Sequence, residues 1–195
     1  MNTELRDQMA FLLEADRLKG IERQSLVLGG ERRENSAEHS WHLALFALVL
    51  AGHSDEAIDV GRVITMLLLH DIVEIDAGDT YIYDTVALED QDLREQAAAD
   101  RLFGLLPAEQ GASLRAFWDE FEAAETADAR FAKATDRLQP LLLNHASNGH
   151  SWRSNGITSD RVRATHSKIQ FVSAALGVVA RGLIDDAVVR GMLEP

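Results

Sequence analysis

An imidazole and two carboxylates close an otherwise apolar run, Met66-Leu67-Leu68-Leu69-His70-Asp71-Ile72-Val73-Glu74. Continued as a helix at about 100° per residue, His70, Asp71 and Glu74 share one arc of roughly a third of the circumference. Such groups are costly to bury unless each has a partner, and a divalent cation satisfies all of them at once. One helix supplies two or three ligands at most, so others must come from elsewhere in the chain. His39 stands in the first turn of the helix expected in Asn35-Ser36-Ala37-Glu38-His39-Ser40-Trp41-His42. Asp136 stands in Ala132-Lys133-Ala134-Thr135-Asp136-Arg137-Leu138, also amphipathic. Two imidazoles and two carboxylates form a mixed nitrogen–oxygen site that suits Mn, Co, Fe, Ni, Zn or Mg. A cation there with open positions binds a phosphate oxygen and lowers the pKa of a bound water.

The elements that must position these groups read as helices almost throughout. Leu5, Met9, Leu12 and Leu13 repeat at helical spacing before Gly20. Ile21–Glu34 reads as a connector with a Gly29-Gly30 turn. Asn35 with Glu38 three residues on forms a capping-box pattern, and its helix runs to about Gly52. Asp59 caps the helix carrying His70, which ends at Gly78. A loop with Tyr81, Tyr83 and Asp84 follows. Leu88–Leu106 is a charged amphipathic helix, and Pro107 opens another that ends near Glu125. Thr126 caps a helix that runs through Asp136 to Leu143. Pro140 predicts a kink beside Asp136, since it removes a hydrogen bond and crowds that residue's carbonyl. Ser147–Gly156 reads as a polar loop. Ser159–Arg181 is the last long helix, stopped by Gly182, with a short one from Asp185. No segment alternates with period two. The expectation is an all-α protein, one domain over residues 1–195, an irregular orthogonal bundle of about six to eight helices.

Composition narrows the function. The 195 residues carry a formal charge of −13 and no cysteine. A chain this acidic repels polyanions, so neither a nucleic acid polymer nor an anionic membrane is an expected partner. Disulfides and thiolate chemistry are excluded. The acidic N-terminus lacks a signal-peptide core, and no apolar stretch approaches the ~20 residues of a spanning helix. A cytoplasmic location is the expectation.

The order His39, His70-Asp71, Asp136 resembles the H…HD…D signature of the HD-domain metal-dependent phosphohydrolases. Within that superfamily it is most similar to the YfbR-like 5′-deoxynucleotidase (HDDC-type) branch. The matching stretches are Leu18–Arg23, Glu34–Ser40, His70–Asp79 and Lys133–Leu138. The resemblance implies that His39, His70, Asp71 and Asp136 hold one divalent metal. It also implies that Glu74 positions or deprotonates the attacking water, that Asp79 acts near the leaving group or nucleophile, and that Arg23 holds the phosphate. The implied reaction takes a nucleoside 5′-monophosphate to nucleoside and phosphate. Arg32 and Arg33, before the His39 helix, are further phosphate candidates, since a guanidinium fork suits phosphate. One departure stands out: the branch's tryptophan after the phosphate-binding arginine is Gln24 here, which leaves open the preference between deoxyribose and ribose.

Two rival readings accompany this one. Another HD chemistry would act on an alarmone or a cyclic nucleotide. Ile75 stands where alarmone hydrolases have a second acid, and no Gly-Tyr-Pro motif is present. Alternatively, a non-catalytic helical protein would keep the metal for ligand binding. His42, Trp41 and Trp118 read as packing residues, and Tyr81 and Tyr83 as loop anchors. The apolar series Ile169, Val172, Leu176 and Val179 exceeds what a peripheral helix needs, and with the family resemblance it suggests a homodimer.

Overall fold

The structure, a computed structural model, describes residues 2–194. It is all-α apart from one small hairpin. Helix α1 (Thr3–Ala15) runs into a 3₁₀ segment ending at Gly20. Strands β1 (Glu22–Leu26) and β2 (Arg33–Asn35) pair antiparallel, followed by α2 (Ser36–Leu50) and α3 (Val60–Leu69). A 3₁₀ turn, His70–Val73, leads into the short α4 (Glu74–Ala77). Then come α5 (Gln91–Phe103), α6 (Ala108–Ala123), α7 (Ala127–Ala146), α8 (His150–Ser154), α9 (Ser159–His166) and α10 (Ala174–Val189). Seven of these helices have ten residues or more, and α4, α8 and α9 are shorter.

Local chemistry explains the starts of the helices. Asn35 accepts from the Glu38 backbone while the Glu38 side chain accepts from the Asn35 backbone, a complete capping box. Asp59 caps α3 and Thr126 caps α7 through side-chain oxygens. Pro107 stands just before α6.

The fold departs from the sequence-based expectation at several points. The connector 21–34 contains the hairpin, whose short, irregular pairing of Glu22 with Asn35 and Leu26 with Arg33 leaves no alternating pattern to read. The expected loop 147–156 contains α8, which buries Trp152. The helix expected over 159–181 is broken: α9 gives way to a 3₁₀ segment at Ser167–Phe171, and Ser173 caps a new helix. Gly182 lies inside that helix and does not end it. Of the apolar series there, Ile169, Val172 and Leu176 are buried in this chain's own core, and only Val179 is half exposed.

Two apolar clusters form the interior. The larger joins α2, α3, α7, α8, α9 and α10 around Leu43, Met66, Phe131 and Trp152. The smaller joins α1, α5 and α6 around Phe11, Leu102 and Trp118. The turn after α3 bridges them: Ile72, Val73 and Ile75 pack into the smaller cluster, and the Trp118 indole N–H donates to the His70 carbonyl at 3.1 Å. The polar side chains of that turn are thereby held against α2 and α7.

Candidate metal centre

The four ligand candidates come from three separate elements. His39 sits one turn into α2 and is fully buried. His70 and Asp71 occupy the 3₁₀ turn after α3, so they do not continue its α-helical arc. Asp136 lies midway along α7, which continues through Pro140. Candidate ligand atoms of His39, His70 and Asp136 all lie within 4.8 Å of one another. His39 Nε2 is 3.1 Å from Asp136 Oδ1 and 3.9 Å from Asp71 Oδ2. His70 Nε2 is 2.9 Å from Asp71 Oδ1 and 3.7 Å from Asp136 Oδ1.

The anchoring of the rings shows whether the set fits a cation. The His70 Nδ1–H donates to the Leu67 carbonyl at 2.9 Å. Its Nε2 is buried beside two carboxylates without an aligned hydrogen bond. His39 Nδ1 lies 3.1 Å from the Gln139 carbonyl oxygen, on the side of the ring away from Asp136. Both imidazoles thus turn Nε2 to the same point, where a cation replaces an unsatisfied buried nitrogen with a bond. The charges agree. Burial alone would lower the His70 pKa, yet Asp71 and Asp136 push it up to about 10. Burial would raise the Asp136 pKa, but the His39 and His70 imidazoles beside it hold it well below the carboxylate range. A positive charge belongs at this point, and these residues would hold a divalent metal there.

Arg23, projecting from β1, stands opposite. Its Nη1 is 2.8 Å from Asp71 Oδ2, 3.4 Å from Asp79 Oδ1 and 3.6 Å from Glu74 Oε1. Glu74 starts α4, and its Oε2 accepts from the Ser36 hydroxyl at 2.5 Å. Burial, then the Asp71 charge, pushes the Glu74 pKa well above the carboxylate range. Asp79 follows Gly78, whose φ of +77° turns the chain in a conformation that suits glycine. Burial raises the Asp79 pKa, with Arg23 opposing.

Arg23, His70, Asp71, Glu74, Asp79 and Asp136 line a cavity of about 200 Å³, with Gln24, Tyr81, Tyr83, Lys133 and Arg137 also on its walls. The structure therefore brings His39, His70, Asp71, Asp136, Arg23, Glu74 and Asp79 to one place. It does not bring Arg32 and Arg33 there. Arg32 is exposed and forks onto Glu38 at 2.6 and 2.8 Å; Arg33 is exposed at the start of β2 and lines no part of the cavity. The hairpin reversal accounts for this: it turns Arg23 inward and leaves the two later arginines exposed, away from the cavity. Tyr81 is an anchor and a wall at once, its hydroxyl 2.9 Å from Ser151 Oγ. Sequence reasoning missed Glu34 and Gln139, both buried behind His39. The signals were Glu34 opening the family-like stretch Glu34–Ser40 and Gln139 lying three residues after Asp136 in an apolar stretch.

Comparison with known proteins adds to the geometry. Residues 15–175 match the model of a family described as "HD domain". A cattle protein named 5′-deoxynucleotidase HDDC2 is 30% identical over 138 residues, which is 70% of this chain and 66% of the cattle protein. The human protein of the same name is 28% identical over the same shares. The chain thus spans slightly less than two thirds of these relatives' length. A crystal structure from Magnetospirillum magnetotacticum MS-1, called a "predicted metal-dependent phosphohydrolase", superposes with a TM-score of 0.95 at 53% identity, covering 99% of this chain and 97% of that one. An HD-domain phosphohydrolase from Listeria innocua shares the fold, with a TM-score of 0.67 at 16% identity, over 93% and 89% of the two chains.

Proposed function

Because the chain belongs to the HD domain family, we propose that it is a metal-dependent phosphomonoesterase that hydrolyses nucleoside 5′-monophosphates to nucleoside and phosphate. The observation that carries this reading is the convergence of His39, His70 and Asp136 on one point, facing Arg23, Glu74 and Asp79 across one cavity. The relatives named 5′-deoxynucleotidase support the nucleotide as the substrate class.

The residues divide the work by charge. The metal, when bound, supplies Lewis acidity toward the phosphoryl oxygens and acidifies water. The Arg23 guanidinium, held by three carboxylates, is fixed in place to face phosphate oxygens, which is the electrostatic preorganisation phosphoryl transfer needs. Glu74, oriented by Ser36, takes the proton of the attacking water; its raised pKa makes it a stronger base than an ordinary carboxylate. The water oxygen bonds to phosphorus as the bond from phosphorus to the 5′ oxygen breaks. Asp79, whose pKa is also raised, delivers a proton to that departing oxygen. Gln24 on the cavity wall places an amide where a tryptophan would exclude a hydroxyl, so ribonucleotides belong in the test beside deoxynucleotides. Against the alarmone reading, Ile75 is buried in the core and supplies no second acid.

The chain acts as a homodimer through the outer face of α2. Trp41, Leu48 and Val49 are 61%, 59% and 75% exposed there, and Glu38 is the helix's one charged residue. Apolar surface of this extent on a helix ordinarily meets a partner.

The test is phosphate release from ribo- and deoxynucleoside 5′-monophosphates, an alarmone and a cyclic nucleotide, with Mn, Co or Mg. The 5′-monophosphates should turn over, and Glu74→Gln should lower the rate about 100-fold or more. Metal-loaded protein without turnover on any of these would establish the binding-protein reading instead.

A further inference from the structure

Behind the metal centre lies a buried polar layer that the proposed reaction does not use. Gln139 is fully buried on α7, one turn beyond Asp136, and Glu34 on β2 is 3% exposed. We propose that Gln139, itself oriented by Glu34, is a positioning residue that holds His39 with its proton on Nδ1 and so presents Nε2 to the metal. The proposal rests on His39 being a ligand.

The hydrogen bonds allow one arrangement. The Gln139 amide nitrogen lies 2.7 Å from Glu34 Oε1 and 3.1 Å from His42 Nδ1, and its oxygen lies 3.1 Å from His39 Nδ1. The Gln139 Nε2–H donates to Glu34 Oε1, so the NH₂ faces Glu34. The flipped amide would set two acceptors against each other in a buried site. With the NH₂ committed to Glu34 and His42, the carbonyl is left for His39, whose Nδ1 must then donate. His42 accepts at Nδ1, so the two histidines on α2 are held in opposite tautomers by one amide.

The two proposed imidazole ligands use the same device with different acceptors. His70 donates from Nδ1 to a backbone carbonyl, which no substitution removes. His39 donates to a side chain, which a substitution can remove. Outer partners of this kind fix the ring and tautomer of metal-bound histidine, and their loss costs about 10–100-fold in metal affinity. Glu34 adds a second element: its Oε2 is buried without a partner, 3.6 Å from the same His39 Nδ1. An acceptor behind the ring favours a cation in front of it.

The experiment is ¹⁵N NMR of the histidine side chains in the metal-free protein, paired with Zn affinity from chelator competition. In the wild type His39 should carry its proton on Nδ1; a bare Nδ1 would overturn the proposal whatever any variant does. Gln139→Met should release the tautomer and weaken Zn binding about 10–100-fold. Glu34→Gln, which keeps an acceptor opposite the amide but removes its charge, should keep the His39 tautomer and weaken Zn binding less than Gln139→Met does. A folded Gln139→Met protein with unchanged tautomer, or with weaker binding but the same tautomer, overturns the positioning role. A wild type that binds no metal would overturn the metal reading itself, which separates the two failures.

Discussion

Arg23 is the side chain on which the charge balance behind the proposed chemistry turns. It is the cation shared by Asp71, Glu74 and Asp79, all within a largely buried site. Removing one member of a buried ionic group leaves the others uncompensated, which typically costs about 3–5 kcal/mol. Arg23→Met should therefore lower the thermal midpoint of the metal-free protein, and saturating Mn should restore part of the loss by supplying positive charge nearby. Equal midpoints for variant and wild type without metal would contradict this. At this scale the sequence was informative where chemistry is carried by residue type, as at His70-Asp71, and silent where it is carried by a neighbour. Arg23, Arg32 and Arg33 are alike as letters; only the hairpin decides that one faces the cavity and the others face solvent or Glu38. Gln139 is an ordinary buried amide until His39 is brought against it from a hundred residues away.

The elements act by fixing where those side chains start. The capping box at Asn35 sets the first turn of α2 and with it the direction of His39. Asn35→Ala should cost about 1 kcal/mol and lower the melting midpoint by about 2–4 °C, measurable by circular dichroism; no shift would mean that packing alone holds the helix start. Caps of this kind were readable beforehand at Asn35, Asp59 and Thr126, because a short polar side chain before an apolar run has one main structural use. Helix breaks were not. The apolar positions Ile169, Val172 and Leu176 keep helical spacing straight across the interruption that Ser173 ends, so periodicity cannot register it. The 3₁₀ turn at His70–Val73 is hidden in the same way: both helix types place apolar residues three apart on the same face.

At the scale of the whole molecule, a chain of formal charge −13 concentrates buried carboxylates at one end of a cavity and leaves α2 nearly uncharged on its outer side. None of the helices among the described residues is long and apolar enough to cross a membrane. The homodimer proposal predicts that Val49→Lys halves the mass seen by light scattering while circular dichroism is preserved. A wild-type monomer would remove the proposal. The all-α class was legible from the sequence because long amphipathic helices dominate the chain; the packing that joins its two apolar clusters through the turn after α3 was not, since it depends on contacts such as Trp118 with the His70 carbonyl.

The account stands on a single cation held by residues from three separate parts of the chain. Elemental analysis of protein purified without chelator, beside an Asp136→Ala variant of matched circular dichroism, tests that directly. The prediction is close to one equivalent of a divalent transition metal or Mg per wild-type chain, and a small fraction of that in the variant. Equal metal content in the two proteins, or none in the wild type even after dialysis against Mn, would contradict it.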